Sequence, residues 1–181
     1  LLIICCALFS VAIAQPVQGD ELIKLLGKRT GVPQLESLRS YAGDDITQRG
    51  IKLAIEKNRL TRIDLYNDNN PYITDMNAFS GKMPKGITWK STIFAAKKAL
   101  GDGYKTEGDP ASSLVLIKEV PINAVDGCEI SLDFQKGRLT IITLTYVAGG
   151  AAAEANSKSK KQLGIDGDDY FNIIKKNTYN L

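Results

Sequence analysis

Two stretches of the chain carry the same pattern, and that duplication constrains the fold more than any single motif. Residues 51–66 (IKLAIEKNRLTRIDLY) and 130–145 (ISLDFQKGRLTIITLT) align without gaps at an offset of 79. Lys, then Asn or Gly, then Arg-Leu-Thr coincide at their centres, and so do the flanking apolar positions. In each copy the apolar residues alternate, stop at a turn, and alternate again, as the half-buried strands of an antiparallel hairpin do. Ile51, Leu53 and Ile55 are one apolar set, with Thr61, Ile63 and Leu65 opposite. A three-residue loop, Glu56-Lys57-Asn58, is expected to pair Ile55 with Arg59, Leu53 with Thr61 and Ile51 with Ile63. In the second copy Ile130, Leu132 and Phe134 share a face with Thr140, Ile142 and Leu144. Asn58 and Gly137 stand where such a loop needs a left-handed residue.

Helices are expected ahead of each hairpin. Asp20 can cap residues 21–26, whose Leu22, Ile23, Leu25 and Leu26 form a stripe that Gly27 ends. Residues 33–41 suit a second short helix with Pro33 in its first turn. Ser91 can cap a helix that runs through Phe94, Ala95 and Ala99 to Leu100 and stops at Gly101. Residues 114–120 are rich in β-branched side chains and read as a strand, and 67–85 as a loop. The predicted fold is α+β, with two tandem helix-plus-antiparallel-hairpin repeats (15–78 and 79–148) forming a two-layer sandwich. Residues 149–181 follow as a Gly-, Ala- and Lys-rich linker and a short amphipathic helix over 168–176.

Residues 1–14 (LLIICCALFSVAIA) are uncharged and fall short of the ~20 apolar residues a membrane helix needs. They end in Ala12-Ile13-Ala14, a small-x-small cleavage signature, so they read as the apolar region of a secretory signal peptide. The charged leader of such a signal is missing, and the sequence is expected to start inside it. A lipoprotein would carry its Cys at the end of the apolar run, but Cys5 and Cys6 sit in its middle. An uncleaved anchor is the other alternative. Export to the periplasm or beyond the cell is the expectation, with no membrane span after cleavage. The mature chain then keeps Cys128 alone, which excludes an internal disulfide.

The chain has no histidine, which removes the common triads, His-ligated zinc and imidazole acid-base chemistry. With 23 Lys and Arg against 20 Asp and Glu, the net charge of +3 does not point to nucleic acid. Gly101-Asp102-Gly103-Tyr104-Lys105-Thr106 fits neither phosphate-loop spacing and reads as a helix stop and turn. Asp166-Gly167-Asp168-Asp169 and Asn67-Asp68-Asn69-Asn70 offer hard oxygens but lack the glycine and glutamate of a calcium loop. No cofactor or metal is expected. Trp89, with Ile87 and Phe79, reads as core.

The outer face of the sheet is the candidate surface. Arg62, Asp64 and Tyr66 from one copy and Asp133, Thr143 and Thr145 from the other alternate out of phase with the apolar sets. Mixed charge, Tyr and Thr suit protein binding. A face that is simply solvated, or covered by the tail helix, is one alternative; the other is a hydrolase acting on polysaccharide through Asp64 and Asp133 as a carboxylate pair.

Leu25-Leu26-Gly27-Lys28, the hairpin from Gly50 to Tyr66, and the Phe79-Ser80-Gly81-Lys82-Met83-Pro84-Lys85-Gly86-Ile87-Thr88-Trp89 run leading to Leu100-Gly101 together form a further pattern. This order resembles a widespread, largely uncharacterised bacterial family of tandem helix-plus-hairpin repeats, some of them immunity-type partners of toxins. It is similar in outline to the beta-lactamase inhibitory protein and to small outer-membrane assembly lipoproteins. The resemblance implies a binding role without a catalytic motif: an inhibitor, an immunity-like partner or a cell-envelope assembly factor. If residues 1–14 are a signal, the exported chain begins at Gln15, and N-terminal sequencing of the periplasmic or secreted protein will find it there. A mature chain that still carries Cys5 and Cys6 overturns that expectation.

Overall fold

Alternating apolar residues and two tight turns build the sheet. The computed structural model describes residues 17–149, so the expected signal (1–14) and tail helix (168–176) lie outside the described residues. Six strands are formed: β1 (Ile51–Glu56), β2 (Arg59–Tyr66), β3 (Lys105–Asp109), β4 (Ser113–Pro121), β5 (Gly127–Gln135) and β6 (Arg138–Val147). They make one antiparallel sheet in the order β1-β2-β6-β5-β4-β3. Four helices accompany it: α1 (Glu21–Leu25), α2 (Pro33–Ala42), α3 (Ile46–Arg49) and α4 (Ile93–Leu100), with a 3-10 turn at Pro84–Gly86. The protein is therefore a mixed α/β chain with a six-stranded antiparallel sheet and a few helices.

The hairpins form where the sequence places them, but their turns and register differ from expectation. Each turn has two residues, Lys57-Asn58 at φ 48° and 61° and Lys136-Gly137 at φ 49° and 76°. Two left-handed residues in succession match the right-handed twist of the strands they join. Ile55 consequently faces Leu60, Leu53 faces Ile63 and Ile51 faces Leu65, with the register shifting between Ala54 and Ile55. The extra residue is Thr61, whose hydroxyl donates to the Ala54 carbonyl at 3.2 Å. The second hairpin does the same. Phe134 faces Leu139, the shift lies between Asp133 and Phe134, and the Thr140 hydroxyl donates to the Asp133 carbonyl at 3.0 Å.

The bulge has an energetic reason. In an unbroken strand Leu60 and Ile63 would point to opposite faces; the bulge puts Leu60, Ile63 and Leu65 all in the core, each at 0% exposure. Leu139, Ile142 and Leu144 repeat this, also at 0%. Burying one more leucine is worth about 1.5–3 kcal/mol, more than the irregular ladder costs.

Helices supply apolar faces to the same core. Leu22, Ile23 and Leu25 of α1, Leu35, Leu38 and Ala42 of α2, and Ala96 and Leu100 of α4 join the inward residues of the strands in one cluster. Phe79 and Ile87 are buried there, and Trp89 packs against the cluster while its indole N–H donates to the Phe79 carbonyl at 2.9 Å. Among the described residues no helix is long and apolar enough to cross a membrane.

Three local expectations are corrected, and Phe94 of α4 finds its orientation. Asp20 does not cap α1 with its side chain; its Oδ1 accepts from the Lys85 N–H at 2.8 Å. Thr92, not Ser91, caps α4, accepting from the Ala95 N–H at 3.2 Å. Phe94 points outward at 79% exposure, because Ala96 and Leu100 are the positions of α4 that meet the core. Residues 105 and 106 belong to β3, an edge strand exposed along its whole length that carries no hydrophobic alternation to betray it.

Gly50 joins α3 to β1 at φ 61°, and a Cβ there would overlap the backbone between Asn77 and Phe79. Both the left-handed backbone and the lost space penalise a side chain. Gly50→Ala is expected to lower the unfolding free energy by about 2–4 kcal/mol, whereas Gly137→Asn, which meets open space, costs about 1 kcal/mol or less. Urea denaturation of the two variants checks the difference.

Candidate functional site

The face of the sheet opposite the core presents three rows of side chains, the central one with a residue from each strand and the other two with residues from five. The central row reads Lys52, Asp64, Thr143, Ser131, Ile117 and Lys105 across the six strands. On one side lie Tyr66, Ile141, Asp133, Val115 and Glu107; on the other, Ala54, Arg62, Thr145, Glu129 and Glu119. Most of the residues on β4, β5 and β6 in these rows are half-buried, and the charged ends on β1 and β3 are exposed.

Five of the six sequence candidates meet at the β2–β6 seam. Arg62 stands opposite Thr145 and Asp64 opposite Thr143, while Tyr66 faces Ile141. Asp64 is 5% exposed, and its Oδ1 accepts from the Arg62 Nε at 2.7 Å and from the Thr143 hydroxyl at 2.8 Å. Asp133 is the candidate left apart. It lies on β5 opposite Ile141, with β6 between it and β2. Its Oδ1 accepts from the Gln135 amide at 2.9 Å, which in turn donates to the Ser113 hydroxyl at 2.9 Å.

Ordinary strand spacing and rise put the Cα atoms of Asp64 and Asp133 about 12 Å apart. Burial, and next the negative charge of Asp64, push the Tyr66 phenol above its usual range, while Arg62 acts in the opposite sense. The phenol therefore stays protonated and able to donate at neutral pH.

Residues that the sequence reading missed are the β3 and β4 contributions, Val115, Ile117, Lys105 and Glu107. In 114–117 both phases are apolar (Leu114 and Leu116 inward, Val115 and Ile117 outward), so no polar alternation marked the outer face. The register with β5 is the only signal that places them.

Two other sets of groups are spent on structure. Asn67 donates to the Leu139 carbonyl at 3.0 Å and accepts from the Asp68 N–H at 2.9 Å; the Asn70 side-chain oxygen accepts from the Tyr72 N–H at 2.8 Å. Among the described residues no three His, Cys, Asp or Glu side chains gather as a metal site would need. Cys128 is fully buried, and burial foremost pushes its thiol up to about 12. It is a protonated core residue with no thiolate to attack anything.

No family model matches the chain, and no curated protein or solved structure matches it. The chemistry of this face rests on its own geometry.

Two outcomes follow. Asp64→Ala strands the Thr143 hydroxyl and frees Arg62, and is expected to cost about 1–3 kcal/mol. In a double-mutant cycle with Thr143→Val the two changes should be non-additive by about 0.5–1.5 kcal/mol, read by urea denaturation; full additivity would deny the contact. For Cys128, the folded thiol holds its proton from about pH 9 to 12, where the unfolded thiol has lost it. The unfolded chain binds fewer protons in that window, so stability present below pH 9 falls as pH rises through it. Cys128→Ala should remove that part of the slope, and a thiol reagent should label the native protein only after unfolding.

Proposed function

We propose that the chain is an exported, non-catalytic protein-binding module whose outer sheet face is the binding surface. The observation that carries this reading is the makeup of that face: half-buried Tyr66, Ile141, Thr143, Thr145, Val115 and Ile117 interleaved with Asp133 and Glu129, with exposed Lys52, Arg62, Lys105 and Glu107 toward its ends. A mixed surface of this kind, with a rigid ladder beneath it, suits a partner protein better than a small substrate. The carboxylates support the reading by being occupied. Asp64 is tied to Arg62 and Thr143, Asp133 to Gln135, and two strand spacings between them do not suit shared acid-base work. The signal-like segment 1–14 favours a periplasmic or secreted protein. The family resemblance adds inhibitor, immunity-like partner and cell-envelope assembly factor as the roles to test.

The finer architecture belongs to the same proposal. The two hairpins are read as copies of one unit, with the helices as a second layer against the sheet. Every pair of the β1–β2 register recurs in β5–β6 at an offset of 79, bulge included. Asp64 and Thr143 are equivalent positions under that offset and pair with each other, so a local two-fold axis passes between them.

A photo-crosslinking residue placed at Ile141 or at Val115 in the exporting cell tests the function. The expected result is a protein adduct from both positions and none from Lys98, which is exposed on α4. Adducts from Lys98 alone, or from none of the three, would overturn it. Asp133→Asn keeps a polar side chain on the face and is expected to leave the cellular role intact; loss of the role with the crosslinked adduct retained would favour a carboxylate enzyme.

A further inference from the structure

We propose that the free edge of β1 is a second binding site, which takes an extended segment of a partner polypeptide as an added antiparallel strand. The site adjoins the outer face at Lys52, Ala54 and Tyr66 and does not depend on that face binding anything.

The backbone supplies the first part of the argument. Tyr66 donates its N–H to the Gly50 carbonyl at 2.8 Å. The antiparallel alternation then turns Lys52 and Ala54 toward β2, and the N–H and C=O groups of Leu53 and Ile55 toward the open side. β1 is the last strand of the sheet, so among the described residues no strand takes up those groups. A row of alternating donors and acceptors is complementary to one kind of ligand, a polypeptide in β conformation.

The second hairpin shows what such a ligand looks like. Leu132 and Phe134 of β5 are equivalent to Leu53 and Ile55 of β1 by register. Their edge is filled: β4 lies on it antiparallel, with Leu116 opposite Leu132 and Leu114 opposite Phe134. Under that cover Leu132 and Phe134 are both 0% exposed, whereas Leu53 and Ile55 are left half-buried. Among the described residues, the strand that completes the second hairpin has no counterpart beside the first.

Space for side chains is already present. A groove of about 850 Å³ runs between β1 and the Glu36, Arg39, Ser40 and Gly43 face of α2, with Leu53 and Ile55 in its wall. Apolar residues at alternate positions of an incoming strand would enter it, as Leu114 and Leu116 enter the core beside β5. The other edge contrasts. β3 is Lys-Thr-Glu-Gly-Asp, exposed throughout, and its charges guard it against strand addition.

The probe is a synthetic peptide copying β4, SLVLIKEVP, against its scrambled form, with hydrogen exchange of the Leu53 and Ile55 amides as the readout on the full chain. The β4 peptide is expected to slow both amides about tenfold or more at roughly millimolar peptide, and the scrambled peptide to leave them unchanged. Ser40→Trp fills the groove from the exposed side of α2 without touching the hairpin, and should weaken binding about tenfold or more. Leu53→Pro removes an outward N–H that an edge strand can spare, and should abolish it. No protection by the peptide, or protection that Ser40→Trp leaves unchanged, overturns the proposal. So does protection already present in the free protein: if it grows with protein concentration the edge belongs to a second copy, and if it does not, to another part of this chain.

Discussion

The contact on which the sheet depends is the pairing of β2 with β6 at Asp64 and Thr143. Each hairpin can close on its own turn, but a lone two-stranded hairpin is marginal in water. Only the β2–β6 ladder joins the two into a surface wide enough to cover a core. At its centre the Asp64 carboxylate, almost wholly out of water, accepts from Arg62 and Thr143. A hydrogen bond to a charged group contributes about 1.5–3 kcal/mol. The ion pair to Arg62 adds little, since the Arg62 side chain is 51% exposed. The Thr143 hydroxyl is therefore the partner that matters for stability, and Arg62 matters more for the charge that the outer face presents.

The two candidate surfaces follow from that seam. With the hairpins joined through β2 and β6, β1 and β5 become the outward strands of the pair. β5 is covered by β4, and β3 ends that side with a run of charge. Among the described residues β1 has no such cover, and it carries Leu53 and Ile55 beside a groove. An apolar edge is a liability unless it is used or shielded, and here the two ends of one sheet handle that liability differently.

Much of this was legible because hairpins are local. The alternation in 51–66 and 130–145, and Asn58 and Gly137 at the left-handed positions, were enough to place four strands and two turns. The bulge was not legible. Taking Thr61 for an inward residue cost one step of register, and only the need to bury Leu60 and Leu139 beside their neighbours reveals the extra residue. β3 escaped because an edge strand exposed on both faces has no apolar period. Hydrophobicity alone would not place Phe94 either: the helix phase set by Ala96 and Leu100 turns it outward. Within the candidate site, the alternation of β2 and β6 gave Arg62, Asp64, Tyr66, Thr143 and Thr145 a common face. Their meeting at one seam depends on long-range pairing, which no local pattern encodes.

If the two hairpins are copies of one unit, as proposed, the seam also accounts for where they differ. In a perfectly symmetric pairing the same residue would occupy positions 64 and 143 and meet itself. Two aspartates directly opposite in a ladder repel. Two threonines would leave Arg62 without its carboxylate. Asp64 against Thr143 resolves the conflict with one acceptor and one donor. The neighbouring positions diverge in step: the position equivalent to Arg62 is Ile141, and that equivalent to Tyr66 is Thr145. The charge on this part of the face is thus gathered on β2, and β6 beside it is left with Thr and Ile. That polarity lies across the seam of two hairpins whose strand pairing is the same at an offset of 79.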